Sequence, residues 1–551
     1  MSNYIIDGAN NPISPIGAKI IAFDAQGNPG WLPASGQASA LHIGIPGQLG
    51  FGVGVCSTSI LPAGFTPLPG YADPISPNYG NYQFGDGSVM VWVPKFFYRI
   101  NNASNPTYAR FTPNDIHVVG AETFASRAAA EIGGYALHRA FVDGGVEQPG
   151  FFVDKYLCSK NALGTGFVGS SIKNGLTVAA SSDHNPVADL TASGAVNQLK
   201  AFVDVAKARD GVDGAANATS RFFCCSRFIF AALALLSIAH GRACVSPSTA
   251  AWYDPAAVIN FPKGCNNNAL KDTNDTQVSY QSDGYSNCGK TGSGTPFEKT
   301  THNGQACGVT DMNGLMWEAT LGITCIATTK GITAATMANP CVLTVPGHGL
   351  TAGRTIHITS VGGMTELNDR MLTATVLTPD TISLDGVNST AFGTYTSAGS
   401  IAYGDFFVAK ESTRMRDFTS GNSGATDHWG ATGVAAMMEA LDFPVLAAAG
   451  GTSMRMRYGN AANQVLSGAT SGLGHALTGL FVPKDAAGMS SDGTNLFGAD
   501  QLYQHFRNEM CALSGGTWSG GSGAGVCTLG LGGARAGASD SSGFRCACYP
   551  G

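Results

Sequence analysis

Apolar residues come in short runs broken by glycine, proline and asparagine, and strand-like and helix-like spacing divide the chain unevenly. Val89-Met90-Val91-Trp92-Val93-Pro94-Lys95-Phe96-Phe97-Tyr98-Arg99-Ile100 is β-branched and aromatic throughout, as a buried strand would be. Gly150-Phe151-Phe152-Val153-Asp154-Lys155-Tyr156 reads as another. Helical spacing is confined to two places. Leu199, Phe202, Val203 and Ala206 recur at i, i+3, i+4 and i+7, Lys200, Asp204 and Lys207 take the other face, and Gly211 closes the segment. Residues 226 to 240 are apolar nearly all round and stop at Gly241, which predicts a helix laid against a sheet. Its apolar centre, 228 to 239, is too short to span a bilayer. From about 326 to 403 the pattern changes. Val342-Leu343-Thr344-Val345, Thr355-Ile356-His357-Ile358-Thr359, Leu372-Thr373-Ala374-Thr375-Val376 and Thr381-Ile382-Ser383-Leu384 are Thr-rich strands of period two, parted by turn residues. They predict a small all-β module inserted in an α+β body.

Composition narrows the function. The 551 residues carry Lys+Arg 31 against Asp+Glu 37, a net charge of −6, and only 12% are charged. Neutralising phosphates needs concentrated Lys and Arg, so no nucleic-acid partner is expected. Gly 74 with 44% hydrophobic residues and no Gly-X-Y period describes a globular chain rich in turns. Met1-Ser2-Asn3-Tyr4 lacks the basic flank and apolar run of a secretory signal, so the 14 cysteines are expected as small buried apolar residues of a protein made in a reducing cytoplasm. There is no CxxC pair, and no metal or cofactor is expected.

Catalytic motifs are sparse. Gly164-Thr165-Gly166-Phe167-Val168-Gly169 matches GxGxxG, but no helix start follows it, so it predicts a loop and no phosphate cradle. HExxH, GxSxG and GxxxxGK[ST] do not occur. His302, Cys307 and Asp311 are the residues from which a catalytic set could be imagined, yet their spacing favours surface and core roles.

Asp311-Met312-Asn313-Gly314-Leu315-Met316-Trp317-Glu318 is the most specific stretch. Asp and Asn before Gly favour a tight turn, after which Trp317 can enter the core while Glu318 caps backbone or pairs with an arginine. The stretch resembles the DMNGNVWEW signature of the C-type-lectin fold of the formylglycine-generating-enzyme type. Phe151-Phe152-Val153-Asp154-Lys155-Tyr156 is similar to that family's early strand, and Gly543-Phe544-Arg545 to its terminal GFR. The resemblance covers roughly 85 to 551 and implies an α+β, C-type-lectin-like body. Structural roles follow for Asp311, Asn313, Gly314, Trp317, Glu318, Gly543, Phe544 and Arg545. Cys546 and Cys548 follow the GFR word in a pattern unlike the enzyme's copper-holding pair, so the activity is not implied. Within the Thr-rich module, Gly347-His348-Gly349-Leu350, Val361-Gly362-Gly363-Met364 and Leu384-Asp385-Gly386-Val387 resemble the FCCH-type β-barrel inserts of phage tail proteins.

The C-terminal text has a frame and a filling. Trp518, Ala524-Gly525, Leu529, Leu531, Ala534-Arg535 and Gly543-Phe544-Arg545 are similar to the variable region of phage and bacterial ligand-binding proteins of this type, including those diversified by retroelements. The filling is Ser, Gly and Asp, the residues an AAC codon yields when altered at its adenines. Strand period two places Leu529 and Leu531 toward the core and Thr528 and Gly530 toward solvent. The receptor-binding set expected on this basis is Trp518, Ser519, Ser522, Thr528, Ser539, Asp540, Ser541 and Ser542.

These readings divide the chain into an attachment segment (1–45), a body in two parts (46–325 and 404–551) and the inserted module (326–403). They describe a non-catalytic adhesin of a phage tail fibre or tail tip, assembled in the host cytoplasm and working on the virion. Its expected partners are a bacterial surface receptor (glycan, pilus or outer-membrane protein) and, through the N-terminal segment, other tail proteins. A homotrimer is expected, because the Gly-, Pro- and Ala-rich start buries little by itself. The alternatives are a structural baseplate or fibre component and, behind it, a formylglycine-generating or glycan-cleaving enzyme; the paired-carboxylate groove on a repeated β-helix that suits glycan cleavage has no counterpart in the sequence.

Overall fold

The computed structural model describes residues 19–23, 29–33, 42–101, 115–163, 166–175, 199–253, 261–284, 287–351, 353–419, 431–443, 455–457, 466–482, 499–537 and 539–550. Most of the expected attachment segment, and Gly164 and Thr165 of the glycine-rich loop, lie outside them.

Among the described residues strand outweighs helix, 31% to 15%, and is spread over several small sheets. The expectation of an α+β, C-type-lectin-like body is therefore corrected: the protein is mostly β. The reason lies in how the glycine- and threonine-rich text meets its backbone hydrogen bonds. Among the described residues only Arg227–Ala243 makes a long helix, of 17 residues; Ala201–Ala208 and Gly472–Leu480 have 8 and 9. Elsewhere strands, paired with near or distant segments, carry the backbone bonds, because isolated short helices are marginal while a strand recovers its bonds from a partner.

Two six-stranded sheets carry the body. In the first, Gly150–Asp154 lies between Val89–Pro94 and the C-terminal strand Cys546–Cys548, which also pairs with Phe222–Cys224. The aromatic run at 89–100 is split: Val89–Pro94 stays in this sheet, and Phe96–Ile100 joins another with Ile116–Gly120. Pro94 ends the first strand, and the Lys95 amide donates instead to the Pro149 carbonyl at 2.9 Å. In the second sheet Trp317–Thr320 runs antiparallel to Met510–Ser514 and parallel to Ser542–Gly543, and Leu529–Ala534 pairs with Met510–Ser514 and with Gln501–Tyr503.

The Arg227–Ala243 helix is buried along nearly its whole length. Ser226 caps it, its Oγ accepting from the Ile229 amide. The helix runs through Gly241 to Ala243, three residues beyond the expected last residue, His240. Among the described residues no helix is long and apolar enough to cross a membrane.

A second core forms between residues 332 and 401, from Leu343, Ile356, Ile358, Ile382, Leu384 and their neighbours. It is joined to the body by a two-stranded ribbon in which Ile323–Gly331 and Ser400–Ala409 pair continuously from Ile323 opposite Val408 to Gly331 opposite Ser400. Ile323, Cys325, Phe406 and Val408 belong to the main core, while Ile332 and Ile401 belong to the second. The expected joins at 325/326 and 403/404 fall within this ribbon. All fourteen cysteines are free and buried.

Candidate functional site

The C-terminal residues are held by a buried polar frame. Arg545 forms two short bonds to Glu318, Nε to Oε2 at 2.6 Å and Nη2 to Oε1 at 2.7 Å, and donates further to the carbonyls of Asp154 (3.0 Å) and Thr310 (3.1 Å). One guanidinium thus ties together three segments far apart in sequence, as the planar fork of arginine permits. Phe544 beside it is fully buried and stacks on Phe202 at 4.8 Å. Asp311 adopts a positive φ, and its Oδ2 accepts from the Gly292 amide (2.6 Å) and the Thr291 hydroxyl (2.9 Å). Burial pushes its carboxyl up to about 6 against those bonds. Asn313 donates to the Pro262 carbonyl at 2.9 Å. Gly314 is required where it stands, because its φ is positive and a Cβ there would lie 2.8 Å from the Cys265 carbonyl oxygen.

His302, Cys307 and Asp311 do not converge on a common point. The His302 ring is bonded to backbone at Gly52 and Val309, and burial lowers its pKa to about 3. Cys307 is buried beside Asn303 and its thiol is raised by desolvation, whereas Asp311 faces Thr291 and Gly292.

The residues expected to bind a receptor separate into two groups. Trp518 is buried, in a small core with Leu157, Val278, Tyr280, Leu315 and Met316. Thr528 is fully buried: its hydroxyl donates to the Gly523 carbonyl at 2.7 Å and accepts from the amides of Gln501 (3.1 Å) and Gly525 (3.2 Å). It precedes the strand, which begins at Leu529, so alternation does not govern its direction. Ser542 is buried because it pairs with Trp317. Gly530 is buried under the Trp317 ring, where a Cβ would come within 3.4 Å. For these residues the solvent-facing expectation is corrected.

The other group is reachable. Ser519 and Asp540 are exposed, and Ser522, Ser539 and Ser541 are half-buried. The Ser539 hydroxyl lies 2.7 Å from that of Ser541 and accepts from its amide, which shapes the turn. Both loops are fastened to one segment, since the Trp518 amide donates to the Leu315 carbonyl (3.3 Å) and the Trp317 amide to the Ser541 carbonyl (3.0 Å).

Trp317 itself is half-buried rather than a core residue, because Gly530 offers its ring a shelf instead of a pocket. Tyr503, also half-buried, meets it edge-on at 5.8 Å. Sequence reasoning assigned Trp317 to the core and did not single out Tyr503. The available signal was the alternation Gln501-Leu502-Tyr503, in which fully buried Leu502 leaves its neighbours to the other face. Beneath the 523–528 turn lies Asp500, whose Oδ2 accepts from the Cys527 amide at 2.8 Å while Oδ1 has no hydrogen-bond partner. Burial pushes its carboxyl up to about 7.

A rigid, internally bonded frame therefore presents small hydroxyls, one carboxylate and two partly open aromatic rings, a set suited to hydrogen bonding and stacking. No protein-family model matches this sequence, and no curated protein matches it.

Proposed function

We propose that this chain is a non-catalytic adhesin of a phage tail fibre or tail tip, which meets a bacterial surface receptor through its 519–522 and 539–541 loops and the Trp317–Tyr503 edge. The observation that carries this reading is the division of the C-terminal residues: the frame is buried and bonded, and the small polar filling stands at the surface. Loops of that kind change without disturbing the core. The resemblance of several words in the sequence to phage tail proteins supports the virion setting. Assembly as a homotrimer strengthens a weak single contact by raising effective concentration.

The test uses the labelled full-length chain on a panel of intact bacterial strains. Binding to at least one strain is expected. Replacing Ser539, Asp540 and Ser541 together by alanine lowers that binding about tenfold, a loss near 1.4 kcal/mol, and moves stability by less than about 0.5 kcal/mol. Equal binding by this variant and by Trp317→Ala overturns the site and favours a structural fibre component.

A further inference from the structure

Cys158 and Cys546 stand 388 positions apart in sequence, yet their sulfurs are 3.8 Å apart. Both are buried, where the hairpin of Cys158–Leu163 and Gly166–Ser171 meets the C-terminal strand of the first sheet. Backbone bonds hold the two residues in place. The Cys158 amide donates to the Phe544 carbonyl at 3.0 Å, and the Cys546 amide to the Asp154 Oδ2 at 2.7 Å. Cys224, which lies opposite Cys546 on the adjoining strand, turns its sulfur to the Ala319 carbonyl at 3.3 Å instead. A disulfide needs its sulfurs about 2.05 Å apart. Each sulfur therefore has to move by only about 0.9 Å, which small changes of side-chain torsion supply.

We propose that Cys158 and Cys546 are a site of disulfide formation, by exchange with a low-molecular-weight disulfide such as oxidised glutathione. The step balances as Cys158–SH + Cys546–SH + RSSR → Cys158–S–S–Cys546 + 2 RSH. One cysteine attacks RSSR and releases RSH; the second displaces the other RS group, which leaves with the remaining proton. The two cysteine sulfurs lose two electrons and the reagent gains them. The surroundings tolerate the change. Arg209 and Asp154 form a buried pair, Nη1 to Oδ1 at 2.6 Å and Nη2 to Oδ2 at 2.8 Å. The Cys158 thiol adds a bond to that carboxylate, 3.2 Å from Oδ2. Oxidation removes it, and Arg209 and the Cys546 amide still satisfy the oxygen. Two neutral thiols become one neutral disulfide, so no charge enters a dry interior, where an uncompensated one would be costly. Burial raises both thiols, so the attack takes place while the Cys546–Cys548 strand is unpaired, during folding or local opening. The link then fastens that strand to the centre of the body.

The experiment incubates the folded, reduced full chain with oxidised glutathione, warmed to just below its melting transition so that the strand opens, until the thiol count is constant. Free thiols are counted by alkylation under denaturing conditions, and the cysteine peptides are mapped by mass spectrometry. The fourteen thiols of the reduced chain should fall by two, with one pair of peptides joined at Cys158 and Cys546 and the chain lighter by two hydrogens. The linked chain should melt at a higher temperature than the reduced one, because a cross-link spanning so much sequence restricts the unfolded state. Cys158→Ser and Cys546→Ser should each keep all their thiols, whereas Cys307→Ser and Cys548→Ser should still lose two. If the first two variants fail to fold, the peptide map of the wild-type chain decides alone. Fourteen free thiols at the end of the incubation, a link between other cysteines, glutathione retained as a mixed disulfide, a linked chain that melts no higher, or the loss of two thiols by folded Cys158→Ser each overturns the proposal.

Discussion

The second core at 332–401 and the C-terminal segment at 510–548 are both built of short strands, yet they are held in opposite ways. In the second core each strand finds its partner nearby: Arg354–Thr359 pairs with Arg370–Thr378, which pairs with Thr381–Leu384. The C-terminal segment keeps one local pair, Met510–Ser514 with Leu529–Ala534, but its last strands do the reverse: Cys546–Cys548 closes against Gly150–Asp154 and Phe222–Cys224, and Ser542–Gly543 against Trp317–Glu318. Local pairing makes a unit whose side-chain alternation follows its own sequence. Distant pairing makes each residue's surroundings depend on text hundreds of positions away.

The largest expected effects test that contrast directly. Arg545→Ala strands Glu318, which is fully buried, and releases the carbonyls of Asp154 and Thr310 from a shared donor. Breaking one side of a buried pair costs about 3–5 kcal/mol, and here the loss should be felt throughout the body as a lower main melting transition. Ile382→Ala in the second core removes a fully buried side chain at about 2–5 kcal/mol. Hydrogen exchange should rise in 332–401 and hardly at all around Phe544. If Ile382→Ala lowers protection in both regions equally, the ribbon couples the two cores into one cooperative unit and the contrast fails.

A smaller effect appears in pH dependence, at the buried support of the C-terminal turn. Asp500 has its folded-state pKa raised by burial to about 7, above the ordinary aspartate value. The folded chain therefore holds this proton where the unfolded chain has released it. Its contribution to stability is fully present below about pH 4 and is lost as pH rises toward and through about 7. Asp500→Asn keeps the shape and the bond from the Cys527 amide but cannot ionise. The stability difference between the two chains should shift by on the order of 4 kcal/mol across that range, measured by denaturant unfolding at fixed pH. A constant difference would place the Asp500 carboxyl in contact with water.

The same contrast explains what the sequence made legible. The Thr-rich strands of the second core lie within a few residues of their expected positions, because period two reports a half-buried local sheet faithfully. The all-round apolar run at 226–240 reads as the buried helix it is, since such a run has nowhere else to go. The lectin-type, α+β expectation failed because it weighed a few words such as the Asp311–Glu318 stretch over the pairing of everything between them. At the candidate site, Trp518 and Trp317 exchanged places: the residue in the loop is buried by Leu157, Tyr280 and Met316, and the residue in the motif opens outward over Gly530. Neither outcome follows from local spacing. Both depend on which distant segment arrives alongside.

The smallest predicted effect separates two polar side chains nine positions apart in the same segment. Ser519 is exposed, and its hydroxyl lies 3.0 Å from that of Thr517 within its own turn, so Ser519→Ala should leave stability within about ±0.5 kcal/mol. Thr528 is of similar chemistry, but it is fully buried and its hydroxyl serves the Gly523 carbonyl and the amides of Gln501 and Gly525. Thr528→Val keeps the shape and leaves those backbone groups short of a partner, at a cost of about 1–3 kcal/mol. Binding to bacterial cells should respond in the opposite order at a temperature where both variants are folded. Ser519→Ala weakens it by removing a surface hydroxyl, whereas Thr528→Val alters it only as far as the 523–528 turn loosens. Measured together, stability and binding assign each side chain to the frame or to the face. Equal destabilisation by the two substitutions would show that the division between frame and filling does not hold at this end of the chain.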